Sequence, residues 1–443
     1  MIPQLQREEA AVSGTVPQWS IATKIGFRFA FSYFILYVAP GPVGSLSSYK
    51  KGTTLATGIS DFVWHPLVAW VGANLLHLSG NLKEIPTGSG DELYDYVLWL
   101  CIAVLAAVIT ALWSVWDRKR PNYRQLNEWL RFFMRMTVGW AMLGYGVKKL
   151  VGAQFTPPTL PELMQTFGQA SPTRLLWTFM GASPAYSFFG GLGETVGGLL
   201  VLVPGLVTLG SLISMALMTN VLMLNLCYDV PRKIFSINLI LMCLYLLLPE
   251  AKRLTNVFLL NRQAEPVPQI PLFRDRQWNR IALIFPLLFG AYVLVVAGHQ
   301  SIVDASELTA TLPAPIRGVW AVEEFSVDNV PEIPKRSDPS QWRTVIFDQP
   351  KVLVIQAMNG NQMRYYMQLD NADKTIKLWN TADLHWRAVL DAEYPQPDEM
   401  VLKGQFGSQN VTAKLARIDL SDPQAFYLLN RGFHWVNEGV NNR

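Results

Sequence analysis

Charge is scarce in this chain. Only 16% of its 443 residues are Asp, Glu, Lys or Arg, while half are hydrophobic. The charges crowd into the last third and a few short loops, which a single soluble domain of this length does not do. A net charge of +4 is too small to argue for a nucleic-acid partner. Cysteine is scarcer still. Cys101, Cys227 and Cys243 all lie in apolar segments and none falls in a CxxC or other metal-ligand spacing, so neither a disulfide framework nor a zinc or haem c site is encoded. The five histidines include no helical pair suited to a bis-histidine haem and no HExxH. No flavin motif is visible, no glycine-rich phosphate loop follows a strand, and no Ser–His–Asp order sits on an identifiable scaffold, which argues against nucleotide hydrolysis and acyl transfer. Met1 to Thr23 lacks the short basic region and small-residue cleavage site of a secretory signal, so the first apolar helix is expected to stay as an anchor.

What the chain has instead is a series of long apolar runs. Spans are predicted at about Ala22–Val38, Leu93–Trp116, Trp129–Leu150, Ala185–Val203, Leu206–Tyr228, Ile234–Leu248 and Arg280–Gly298, about seven in all, each near the length a bilayer requires. Phe62–Leu78 is also apolar but holds His65, Pro66, Asn74 and His77. Counting it as a span reverses every later loop, and it reads better as interfacial or re-entrant. Arg118, Lys119, Arg120 and Arg124 share one short loop, and Lys252, Arg253, Arg262, Arg274, Arg276 and Arg280 another, so both loops are expected inside. The N-terminus is then inside and everything after Ser301 outside. Lys50, Lys51, Lys83, Lys148, Lys149, Arg174, Arg232 and Lys233 fall on the outer side, as snorkelling anchors or as groups favouring an anionic ligand.

From about Ile316 the periodicity changes to two. Strands are predicted at Gly318–Val327, Trp342–Phe347, Val352–Met358, Met363–Leu369, Thr375–Trp379, Trp386–Leu390, Met400–Gln405 and Val411–Ile418, joined by tight turns. Eight short strands in sequence suggest an antiparallel meander closed into a small barrel, holding either one apolar ligand or a packed core. Its opening Gly318-Val319-Trp320 resembles the GxW of lipocalin-like barrels, and Arg431 is the expected arginine over Trp320. His434 and Glu438, four apart, suit a metal contact or a neighbouring strand. The fold class is thus an α-helical transmembrane bundle followed by an all-β, lipocalin-like antiparallel barrel. The expected domains are 1–300 for the bundle, 301–315 as a linker and 316–443 for an extracytoplasmic barrel.

Several polar groups stand out in the apolar runs. Glu194, in Gly190-Gly191-Leu192-Gly193-Glu194-Thr195-Val196-Gly197-Gly198, sits halfway along a span, where an unsatisfied carboxylate costs at least a few kcal/mol. Arg135 is the simplest partner and Arg28 a second candidate. The flanking glycines follow small-xxx-small spacing, which close helix packing explains. Tyr145, Lys148, Asn220, Asn225, Tyr228, Asp229 and Asp91 are expected to converge at the outer ends of the spans. Such a mouth offers donors for a quinone head group and an apolar slot for its tail; helix capping by Asp91 and Asn225 is the rival account.

The stretch from about Trp129 to Leu248 resembles the DoxX-like family of membrane proteins. The resemblance rests on Arg135 followed by Gly144-Tyr145-Gly146-Val147-Lys148-Lys149-Leu150, the glycine-rich Glu194 helix, and Thr208-Leu209-Gly210. It places a DoxX-like core at 129–250, and it implies a quinone-linked membrane part of a redox system in a bacterial inner membrane. Glu194, Arg135 and Lys148 are then the reacting groups, with an electron-donor subunit supplying electrons. The alternative is a non-catalytic accessory or assembly factor whose barrel binds a protein partner or lipid.

Overall fold

The computed structural model describes residues 18–38, 55–78, 82, 90–266, 270–370, 374–380, 383, 385–421, 426–430 and 432. The helices are α1 (Ile21–Val38), α2 (Leu55–Asn74), α3 (Leu93–Trp116), α4 (Arg124–Leu150), α5 (Leu160–Met164), α6 (Pro172–Gly181), α7 (Pro184–Leu202), α8 (Val207–Cys227), α9 (Lys233–Leu247), α10 (Ala251–Phe258), α11 (Arg276–Leu308) and α12 (Tyr427–Asn430). They fall into two compact units, one of Met1–Gly146 with Gly193–Val296 and one of Val147–Leu192 with Ala297–Arg443.

Among the described residues, six helical stretches are long and apolar enough to cross a membrane: α1, α3, α7, α8, the α9–α10 run and α11. α3 shows why. Its 24 residues rise about 36 Å, enough for a hydrocarbon layer of roughly 30 Å. Glu92 and Asp95 form a capping box at its start, with Glu92 N–H donating to Asp95 Oδ2 at 2.8 Å, and Asp117 ends it. α4 is long enough at 27 residues but carries Arg124, Glu128, Arg131 and Arg135 in its first half and Lys148 and Lys149 in its last turn. Phe62–Leu78, expected as an interfacial or re-entrant segment, lies largely within α2, a 20-residue helix that starts at Leu55, keeps Pro66 inside and ends at Asn74. α11 runs 33 residues, so the first part of the expected 301–315 linker is helix.

The C-terminal strands are β1 (Gly318–Val327), β2 (Val330–Pro331), β3 (Trp342–Phe347), β4 (Val352–Ala357), β5 (Gln362–Asp370), β6 (Thr375–Trp379), β7 (Arg387–Gln396), β8 (Glu399–Phe406) and β9 (Gln409–Arg417). Each pairs antiparallel with its neighbour in the sheet, and β1 closes on β9 from Trp320↔Arg417 to Val327↔Val411. This is an eight-stranded meander barrel; β2, absent from the sequence expectation, is a two-residue extension paired only to the end of β1. Inward residues alternate along β7 as Ala388, Leu390 and Ala392. Trp320, Val345, Phe347, Leu353, Ile355, Ile376, Leu378, Met400 and Leu402 are inaccessible, so side chains fill the interior.

One outer face of the barrel is also dry. Leu160 of α5 packs with Val319, Ile346 and Val354, the outward residues of β1, β3 and β4. Leu160 N donates to Asp348 Oδ2 at 2.8 Å, Gln356 Nε2 to Met164 O at 3.0 Å and Gln362 Nε2 to Pro161 O at 2.7 Å. Segment 147–192 therefore belongs to the barrel unit and not to the 1–300 bundle expected from the sequence.

Candidate functional site

Glu194 is buried, 3% exposed, near the middle of α7. Arg135 is not its partner. Its Nε donates to Val201 O at 3.1 Å and its Nη2 to Leu202 O at 3.0 Å, about 10 Å further along α7 at 1.5 Å per residue. The last carbonyls of a helix lack intrahelical donors, and in hydrocarbon a buried guanidinium satisfies them where water cannot. Arg28 is engaged elsewhere too. It donates Nε and Nη2 to Tyr123 Oη at 3.0 and 2.7 Å, Nη1 to Ser114 Oγ at 2.9 Å and Nη2 to Asp117 O at 2.8 Å. Tyr123 in turn donates to Asp117 Oδ2 at 2.9 Å. This network fastens α1 to the α3–α4 turn, and no sequence spacing announced Ser114 or Tyr123.

The expected mouth is gathered in part. Asp91 accepts from Lys233 N at 2.6 Å and Ile234 N at 3.1 Å, with Lys233 Nζ 3.8 Å away. It caps the start of α9 from a segment far away in sequence, where the positive end of the helix favours a carboxylate. Asn225, also buried, donates Nδ2 to Ser236 Oγ at 3.0 Å, and its carbonyl accepts from Val230 N at 3.1 Å. Asp229 is exposed, with positive φ in the tight α8–α9 turn, and lies 3.8 Å from Lys233 Nζ. Tyr228 is half-buried at the C-cap of α8. These four residues surround one helix-to-helix turn and bind it together.

Of the remaining members, Tyr145 reaches the first turn of α9 and Asn220 faces away from Asn225. Asn220 is exposed, five residues and so about 140° around α8 from buried Asn225. Tyr145 packs its ring 5.9 Å from Phe235, inside the bundle core. Lys148 is half-buried in the last turn of α4, in the segment that belongs to the barrel unit.

α7 and α8 approach closely where glycine faces the neighbouring helix. A Cβ on Gly197 would stand 2.9 Å from Ser214 Oγ, and one on Gly210 2.3 Å from Val201 N. Ser211 and Ser214 are fully buried on the α8 side, and among the described residues their hydroxyls have no hydrogen-bond partner. Helical serines ordinarily bond a carbonyl one turn back.

The barrel is closed at one end by Arg417, whose guanidinium carbon lies 5.4 Å from the centre of the Trp320 ring. Trp320 Nε1 donates to Ile316 O at 3.0 Å. Arg417 from β9 thus holds the position expected for Arg431, which lies outside the described residues, as do His434 and Glu438. At the other end Phe325, Trp342, Tyr365, Trp386 and Phe406 form an aromatic cluster with centroids 4.9–5.4 Å apart, in which Phe406 meets Trp342, Tyr365 and Trp386 edge to face and Tyr365 stacks on Trp386. Burial pushes the Tyr365 phenol above its ordinary range. Beside this cluster is a cleft of about 670 Å³ lined by His385, Trp386, Arg387, Val389, Gln405 and Gln409, among others. It adjoins an outward cross-strand row, Tyr366↔Trp379↔Arg387, in which Tyr366 is 46% exposed and Trp379 half-buried. Among the described residues, no three His, Cys, Asp or Glu side chains are grouped to hold a metal.

No family model matches the chain. Over 124 residues it is 32% identical to the uncharacterized protein YwoB of Bacillus subtilis (strain 168), an alignment covering 28% of this chain and 79% of that protein. The chain belongs to the same family as YwoB. The YwoB-like segment is a minority of its length, and the relative's name gives no activity to transfer. No solved structure matches.

Proposed function

We propose that this integral membrane protein is an accessory scaffold that displays its barrel as a protein-binding module. The observation that carries this reading is the row Tyr366, Trp379, Arg387 with exposed Val389, set beside the cleft of about 670 Å³. Tyrosine, tryptophan and arginine are the residue types that dominate binding energy at protein interfaces. The filled interior points the same way, because it leaves the outer surface as the place to bind. Photo-crosslinking from position 366 of the full-length protein in its native membrane tests this. A defined crosslinked partner lost on Trp379→Ala supports it; crosslinking unchanged by Trp379→Ala and Arg387→Ala overturns it.

Contacts within the bundle support one orientation. Trp19 N–H donates to Pro121 O at 3.0 Å, Gln125 Nε2 to Leu272 O at 2.5 Å and Tyr245 Oη to Asn127 Oδ1 at 2.6 Å, which gathers the two arginine-rich loops at one end. Asp91, Asn225 and the α9 start mark the other. α4 leaves the basic end and α11 follows the basic loop, and both run by chain continuity into the barrel unit. With basic loops inside, the N-terminus is inside and the barrel outside a bacterial cytoplasmic membrane.

A second reading is the redox form of the DoxX-like resemblance, with a quinone or similar amphipathic molecule beside Glu194 and an electron-donor subunit. Buried Glu194 together with the unpartnered hydroxyls of Ser211 and Ser214 favours it. Extraction of bound small molecules from detergent-purified protein tests it: no quinone, and no quinone-dependent change in thermal stability, count against it.

A further inference from the structure

We propose that the end of the bundle formed by the α3–α4 turn and α10 binds the headgroups of anionic phospholipids, with α9 supplying the crossing part of the 26-residue α9–α10 run and α10, its last eight residues, at the bilayer interface. The first turns of α4 tie the two loops to this end: Asn127 accepts from Tyr245 near the end of α9, Gln125 Nε2 donates to Leu272 O, and Trp129 packs edge-on to Phe273 at 5.1 Å. Across residues 117–131 and 250–280 the sequence holds eleven Lys and Arg against five Asp and Glu. Three of the cations are engaged locally: Arg120 with Asp117 at 3.6 Å, Arg131 with Glu128 at 3.2 Å and Arg253 with Glu250 at 3.4 Å. Arg118, Lys119, Arg124, Lys252, Arg262 and Arg274 are exposed and carry no ion pair among the described residues.

Charge alone would suit any anion. The same end, however, also exposes apolar side chains that a soluble anion cannot cover. α10 sets Lys252, Arg253 and Asn256 on one side and Leu254, Val257 and Phe258 on the other, and Phe258 and Leu259 are 72% and 79% exposed. Trp116, at the end of α3, is 93% exposed, and Trp278, early in α11, 56%. Indoles at span ends belong at the membrane–water boundary. Unpaired cations at the level of an amphipathic helix and a ring of indoles meet the phosphates of a negatively charged leaflet while the apolar side chains enter the acyl region.

The test uses full-length protein, delipidated in detergent and titrated with phosphatidylglycerol, phosphatidylcholine or inorganic phosphate, reading the thermal midpoint and the lipids retained in native mass spectrometry. The expected result is saturable stabilisation by phosphatidylglycerol that weakens with salt, little effect of the other two, and at least tenfold weaker phosphatidylglycerol binding in R118Q/K119Q/K252Q. K119R/K252R keeps wild-type binding, which separates charge from fold. Equal stabilisation by phosphatidylglycerol and phosphatidylcholine, an equal effect of inorganic phosphate, or wild-type affinity in the triple variant overturns the assignment.

Discussion

Arg135 holds the C-terminal carbonyl of Val201, at 3.1 Å, and not the carboxylate two turns earlier in the same helix. With Leu202 O as second acceptor, the guanidinium joins α4 to the end of α7. Hydrogen bonds to charged groups contribute about 1.5–3 kcal/mol each, so Arg135→Ala is expected to cost about 3 kcal/mol in detergent unfolding. Because Arg135 does not touch Glu194, Arg135→Ala and Glu194→Gln are expected to be additive within about 0.5 kcal/mol. A coupling above about 1 kcal/mol in that double-mutant cycle restores the ion pair.

Asp91 supplies the acceptors for the first N–H groups of α9. Replacing a capping acid by Ala typically costs about 1 kcal/mol. Asp91→Ala is expected to lower stability by that amount or somewhat more, since Lys233 also loses its neighbour, and Asp91→Asn by less. Hydrogen exchange at Lys233 and Ile234 is the local readout: unchanged protection in Asp91→Ala rules out the cap.

At the α7–α8 seam, Gly210→Leu is expected to cost about 1–3 kcal/mol, because a Cβ there meets the backbone of Val201 at 2.3 Å. Gly144→Ala, where a Cβ meets nothing within 4 Å, serves as the control. Equal midpoints for the two variants contradict the close approach.

Tyr365 gives the barrel an alkaline limit. Burial raises its pKa above the ordinary 10.0, so the folded state favours the neutral phenol. Its contribution to stability is fully present below pH 10 and is lost as pH rises through the folded-state pKa. Tyr365→Phe is expected to flatten the fall in thermal midpoint above pH 10; an unchanged slope excludes Tyr365 as its source.

The bundle and the barrel were largely legible because their periodicities are strong. α3 matches its expected bounds residue for residue, as its 24-residue apolar run is fenced by Glu92 and Asp117, and β1, β3 and β6 match in the same way. β7 ran past its expected end at Leu390 because Asp391, Glu393 and Pro395 look like a turn, while in the barrel they form the wet face of a strand whose Ala392 points inward. The dry outer face under α5 left only an indirect trace, the unbroken apolar runs Val345–Phe347 and Val352–Ile355, which signal strands covered on both sides. The polar site was less legible. An acid and an arginine at similar depths suggest a pair, but helix-end carbonyls are invisible as acceptors in a side-chain reading, and Arg135 and Arg28 both bind backbone oxygens. Asp91 and Asn225 stand out by residue type, but the cap made by Asp91 and the bond from Asn225 to Ser236 are contacts with α9 that no local spacing encodes.

Reporter fusions at Arg120 and after Arg443 measure the side of the membrane on which the basic α3–α4 turn and the barrel lie. Opposite behaviour, with position 120 cytoplasmic and the C-terminal fusion external, is the result expected with the arginine-rich loops inside. Equal behaviour at the two positions contradicts that arrangement.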